Sequence, residues 1–272
     1  MRSAPLHPSL FSFLFPAALS LGACGSWSAP FKEKRVIEVD WRGPAPLEVR
    51  TENGSITVRK GKEAVIRIEA EIRARNEERL AAVEIVTTRK ADRTLRVGVV
   101  WPEGGREGAE GVRFEITLPL ATALDLETRN GKIRAAGMRG KARCRTSNGS
   151  ILLEDHEGPV TASTTNGRIL LKGVGTPLEA KTSNGALEIL LRPSATGPVS
   201  ARTTNGGIRL RLGSAFRGFL RTSTTNGRIL IPAQLEEKTT RSGRHRAILR
   251  FGAEEPVSRL RTSNGTIRIG VD

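Results

Sequence analysis

Acid-base chemistry has few candidate side chains in this chain of 272 residues. Asp125 stands two positions before Glu127, and Glu154 adjoins Asp155; suitably spaced carboxylate pairs are what polysaccharide-cleaving enzymes use as acid and base. His156 and His245 both fall in stretches that read as turns or irregular segments, so each is expected as an exposed loop side chain. Neither a histidine metal cage nor a nucleophile-histidine-acid triad has its parts. There is no Gly-x-Ser-x-Gly elbow, phosphate-binding glycine loop, dinucleotide fingerprint or glycine-aspartate calcium repeat. No metal, cofactor or catalytic residue is expected.

Cationic side chains are what the chain has in quantity: 44 Lys plus Arg against 28 Asp plus Glu, a formal charge of +16. Such a field favours anionic partners, among them acidic polysaccharide, lipopolysaccharide phosphates and anionic lipid. Aromatic residues make up 4% of the chain and tyrosine is missing, which leaves few platforms for stacking bases. Specific nucleic-acid binding is disfavoured on that ground.

The elements that must position these charges follow from an internal repeat. Asn-Gly with a Thr two positions earlier and an apolar residue three positions after the Asn occurs eight times, at Asn53, Asn130, Asn148, Asn166, Asn184, Asn205, Asn226 and Asn264. The central spacings are 18, 18, 18, 21 and 21, and self-similarity at such a period is the mark of a repeat architecture. Apolar residues fall in alternating columns on both sides of the Asn-Gly, for example Val160 and Ala162 before Asn166 and Ile169 and Leu171 after it. The pattern is strand, turn, strand, with the turn glycine expected at positive φ. Gly- and Pro-rich segments such as Gly158-Pro159 and 193–198 supply a second turn.

The fold class is therefore all-β, and two topologies fit. In a β-solenoid each repeat is one coil and equivalent strands stack in parallel. In an antiparallel meander each Asn-Gly is a type I′ hairpin turn. Recurrence of the same residue type in each column favours the solenoid. Residues 36–120 are less regular, with strand-like stretches at 64–74, 94–100 and 112–118 and a helix-compatible stretch at 76–82; they read as N-terminal rungs or a cap before the repeat region 121–272. Within that region residues 232–256 read as a degenerate coil.

Stacking in sequence order would align the outward positions before each Asn into a basic, hydroxyl-rich face. Arg143, Arg145, Lys181, Arg202, Arg221, Arg259 and Arg261 are its cations, offering guanidinium forks at the strand spacing of about 4.8 Å to phosphate or carboxylate groups. Asp125 and Glu127 are expected to pair across the ladder with Arg143 and Arg145. Leu152, Leu170 and Leu230, outward after the Asn, form a candidate apolar contact patch.

The segments Phe114–Pro119 (FEITLP) and Leu124–Gly131 (LDLETRNG), followed by serial Thr-Ser-Asn-Gly units, resemble the bacterial putative-adhesin family of β-strand repeat proteins, domain of unknown function 4097. The resemblance covers residues 36–271. It implies a β-helix-like fold and an envelope location, and carries no catalytic residues with it.

Arg2, the apolar run 10–21 and the tetrapeptide Leu21-Gly22-Ala23-Cys24 read as a signal peptide, residues 1–23, ending in a lipobox-like site. Cys24 is the expected lipid anchor, followed by a linker to residue 35. Gly25 in place of Asp favours the outer membrane. Cys144 is then alone and is expected to act as a small core hydrophobe. The sequence thus points to a non-enzymatic envelope lipoprotein, adhesin-like or structural, that binds anionic envelope polymers through its basic face. A polysaccharide-active β-helix enzyme, or a regulatory module for another envelope protein, is the alternative.

Overall fold

The structure, a computed structural model, describes residues 31–252 and 255–271; the expected anchor at Cys24 lies outside them. Short alternating segments interrupted by Gly, Pro and Asn-Gly form strands and little else. The exceptions are a helix, Glu77–Ala82, whose start is capped by the Asn76 side chain accepting from the Arg79 N–H, and a 3-10 turn, Ala233–Lys238. The first strand begins at Phe31, so residues 31–35 of the expected linker are strand.

Among the described residues the strands form two mixed sheets, of 12 and 11 strands. Each repeat sends the strand ending at its Asn into the first sheet and the strand beginning three residues later into the second. The two strands flanking an Asn-Gly are therefore not partners, which removes the hairpin meander. Equivalent strands of successive repeats pair in parallel instead, with Asn130 opposite Asn148, Asn148 opposite Asn166 and Asn166 opposite Asn184. Val160 and Ala162 from the first sheet and Ile169 and Leu171 from the second are buried between the sheets. A fully buried Leu or Ile contributes about 1.5–3 kcal/mol, and each repeat supplies several.

The Asn-Gly corner has its own chemistry. The expected positive φ occurs at Gly54 (φ 144°) and at no other glycine of the eight pairs. The remaining seven need space rather than a special φ: a Cβ on Gly149, Gly167 or Gly185 would sit 1.9–2.0 Å from the carbonyl oxygen of the glycine in the neighbouring repeat. That oxygen accepts a hydrogen bond from the inward Thr hydroxyl of the next repeat, as in Thr164 to Gly149 at 3.0 Å and Thr182 to Gly167 at 3.1 Å. The Asn side chains form a ladder from Asn53 to Asn226 in which the Nδ2 of every Asn but Asn53 donates to the Oδ1 of its neighbour, as in Asn166 to Asn148 and Asn184 to Asn166, both at 2.8 Å.

Spatial order departs from chain order at both ends. The last repeat in sequence, Val257–Asn264 and Ile267–Val271, lies between the Asn205 and Asn226 repeats in both sheets. The Asn ladder follows the same order, Asn264 donating to Asn205 and Asn226 to Asn264. Residues 232–256 are not a degenerate coil: Thr239–Arg241 and Arg246–Phe251 pair antiparallel and cover the outer edge of Gly218–Asn226. At the other end the Asn53 repeat sits between Ala121–Asn130 and Leu95–Val100 in the first sheet, and between Ile133–Ala136 and Gly111–Leu118 in the second. Antiparallel strands Phe31–Asp40 and Val65–Ala74 extend the second sheet beyond it.

Because the glycine contact is steric, Gly167→Ala should lower unfolding stability by about 3 kcal/mol. Gly98→Ala, whose added Cβ would meet nothing within 4 Å, should leave it within about 0.5 kcal/mol. Denaturant titration of the two variants checks the contrast.

Candidate anionic-ligand face

The alternation that buries Ala142 and Cys144 turns Arg143 and Arg145 outward, and the same parity exposes every cation of the expected face. Register then decides which of them meet. Arg143 and Arg145 stand opposite Asp125 and Glu127 on one side and Thr161 and Ser163 on the other. Past that hydroxyl row Lys181 meets Arg202, Arg202 meets Arg261, and Arg259 meets Arg221. The face is thus two groups: an arginine pair beside carboxylates, and a larger cluster toward the C-terminal end. Inserting the Asn264 repeat puts Arg259 and Arg261 inside that cluster instead of at its edge. Arg246, which the sequence reading left out, joins it by pairing opposite Ser223.

Among the described residues none of the seven expected cations, nor Arg246, makes a side-chain hydrogen bond or ion pair. The carboxylates are used elsewhere. Asp125 and Glu127 are not held by Arg143 and Arg145; Arg50 of the preceding repeat reaches both, at 2.6 and 2.9 Å. Glu154 pairs with Lys172 at 3.4 Å, and Asp155 occupies a turn at φ 50°. Asp125, Glu127 and Glu154 are thus each bound to a cation.

The apolar patch does not form as expected. Leu152 and Leu170 are neighbours and half-buried, but Glu188, Arg209 and Arg268 separate them from Leu230, which is 42% exposed. In chain order Glu188 and Arg209 already stand between Leu170 and Leu230, and the inserted Asn264 repeat adds Arg268 to the gap.

Fold and face together define a nearly all-β repeat protein with an arginine-rich outer sheet surface. No protein-family model matches the chain, and no curated protein matches it. Among solved structures, one described as a putative adhesin from Bacteroides fragilis is 12% identical, with a TM-score of 0.45, covering 88% of this chain and 98% of that one. A putative cell adhesion protein from Clostridium sporogenes is 11% identical, with a TM-score of 0.37 over 89% of this chain and all of that one. A putative lipid binding protein from Parabacteroides distasonis is 12% identical, with a TM-score of 0.35 over 89% and 98%. Likeness at that level lends no support to a particular function.

Titratable groups away from the face are structural. Among the described residues no three of His, Cys, Asp and Glu are grouped so as to hold a metal ion. Burial pushes the Cys144 thiol up to about 12, so it packs rather than reacts. Glu110 is 1% exposed and binds Arg79 through both carboxylate oxygens at 2.8 Å. Burial works to raise its pKa, but the Arg79 hydrogen bonds and the Glu107 and Arg75 N–H groups outweigh it and hold the carboxyl at about 2.

His156 is fully buried, not the exposed loop side chain expected from the sequence. It lies 18 residues from both Met138 and Val174, also buried, so the period contains a third inward column that could have placed it. Its Nε2 lies 2.7 Å from the Gly140 carbonyl oxygen, while Nδ1 is buried with no partner. Burial lowers its pKa below the usual 6.5, overcoming the bond to Gly140, and nearby Arg192 adds to the effect. A lowered histidine pKa means that the neutral ring stabilises the fold above pH 6.5, and that this contribution is lost as pH falls below it. The melting temperature should fall between pH 7.5 and 5, and His156→Gln should flatten that part of the profile in a pH series of thermal melts.

Proposed function

We propose that this chain is a non-enzymatic cell-envelope lipoprotein, anchored by its lipidated Cys24 and placed in the outer membrane. In this reading it is a β-solenoid that acts as an adhesin-like binding or structural module. Its partner is an anionic envelope polymer, such as lipopolysaccharide or an acidic polysaccharide, held on the outer face of the first sheet. Support for the location comes from the leader and the lipobox-like tetrapeptide. Support for the solenoid comes from the parallel, in-register stacking of equivalent strands.

The observation that carries the binding reading is the set of cations on one face that have no partner among the described residues, with Arg202 opposite Arg261 and Arg221 opposite Arg259. Like charges placed directly across a ladder repel, and an anion laid along them relieves the repulsion while accepting forked hydrogen bonds. Polysaccharide cleavage is not favoured, since Asp125, Glu127 and Glu154 are taken up by Arg50 and Lys172. A regulatory contact with another envelope protein has only the Leu152 and Leu170 neighbours in its favour.

Binding of the full-length chain in detergent to lipopolysaccharide, peptidoglycan and DNA, at low and physiological salt, tests the reading. A variant with Arg145, Arg202 and Arg221 changed to Glu should lose about tenfold or more in affinity for one polymer at physiological salt. Weak binding to all three that salt abolishes, or equal binding by the variant, refutes it.

A further inference from the structure

The edge of the first sheet differs from the rest of its face in shape. There the strands Arg246–Phe251, Gly218–Asn226 and Val257–Asn264 run side by side, although they are not in that order in the chain. Two rows of outward side chains result. One is Ile248, Arg221 and Arg259; the other, two residues along, is Arg246, Ser223 and Arg261. A depression of about 460 Å³ opens over these rows, lined also by Thr240, Arg241 and Ser242. Arg241 is held by Glu236 at 2.7 Å, but Arg221, Arg246, Arg259 and Arg261 have no partner among the described residues. No carboxylate lines the depression.

We propose that this depression is a discrete site for a phosphorylated saccharide; the proposal rests on the reading of the face as an anion-binding surface and narrows it to one place and one chemistry. Strand spacing brings four guanidinium groups around a single opening about 10 Å across. A carboxylate satisfies one fork, whereas a phosphate monoester brings close to two negative charges and three acceptor oxygens that several forks approach from different sides. The remaining lining suits a sugar. Ser223, Ser242 and Thr240 offer hydroxyls to its hydroxyl groups, and Ile248, 36% exposed, offers an apolar contact to a ring face. Arg143, Arg145, Lys181 and Arg202 do not line this depression.

The test is calorimetric titration of the full-length chain in detergent with glucose 1-phosphate, glucose, glucuronate and single-stranded DNA at physiological salt. Two double variants go alongside: Arg246→Ala with Arg259→Ala in the depression, and Arg143→Ala with Arg145→Ala outside it. All four positions are exposed and without side-chain partners among the described residues, so both variants should fold as the parent does. Glucose 1-phosphate should bind, glucuronate should bind about tenfold more weakly, and the depression variant should lose about tenfold while the other changes less than about twofold. Competition by lipopolysaccharide vesicles would assign the phosphosugar to a lipid headgroup, and its absence to a soluble or polymeric source. The proposal is overturned if glucose 1-phosphate does not bind, if glucose, glucuronate or DNA binds as well, or if the two variants lose equally. If the depression variant is unaffected but lipopolysaccharide binding falls in the Arg143 and Arg145 variant, this site fails and the broader face survives. If neither variant changes binding to any anion, both fail.

Discussion

One repeat can lie on the next only because nothing projects from the Cα after each asparagine. The carbonyl oxygen of the neighbouring glycine occupies the space a Cβ would need, and the Thr hydroxyl that points inward toward that oxygen removes the cost of burying it. Three residue types are thereby fixed together: glycine by clearance, threonine by the carbonyl, and asparagine by an amide ladder that requires an identical side chain above and below. Hydrophobic columns supply most of the stabilisation, but they tolerate Val, Leu, Ile, Ala and Cys. The corner tolerates far less, so it sets the register in which the columns and the outward charges fall.

Register in turn makes the surface. With parallel strands aligned residue on residue, an outward Arg meets what stands at the same column of its neighbours or one diagonal step away. Arg202 and Arg261 meet for this reason, and Arg50 meets Glu127 directly opposite and Asp125 on the diagonal. The exchange of order near the C-terminal end is what concentrates charge. In chain order the Asn226 repeat would follow the Asn205 repeat directly, leaving Arg259 and Arg261 beyond it; the observed order encloses them.

The corner motif, the inward columns and the strand positions at 65–74, 95–100 and 111–118 are legible in the sequence because each is a local pattern of period two bounded by turn residues. Spatial order is not legible. The Asn264 repeat carries the same Thr, Asn, Gly and Ile as its neighbours, so its local chemistry fits any slot in the stack and only long-range pairing selects one. That ambiguity accounts for the omission of Arg246 and for reading 232–256 as a coil. His156 failed for a different reason: its polarity outweighed its position, although the period set it in line with Met138 and Val174.

In a simple stack of repeats the first and last units in the chain are also the outermost, and thermal fraying begins at them. Here the two are uncoupled, since the Asn53 and Asn264 repeats both lie one place inside the stack. Each is hydrogen-bonded along both edges in each sheet, so drawing either out would break ladders on two sides at once. A tension applied from the C-terminal side, through Ile267–Val271, would therefore load an interior unit in shear before the outer Asn226 unit could peel, which gives that end of the stack a mechanical clasp made from nothing more than the order in which its repeats are laid down.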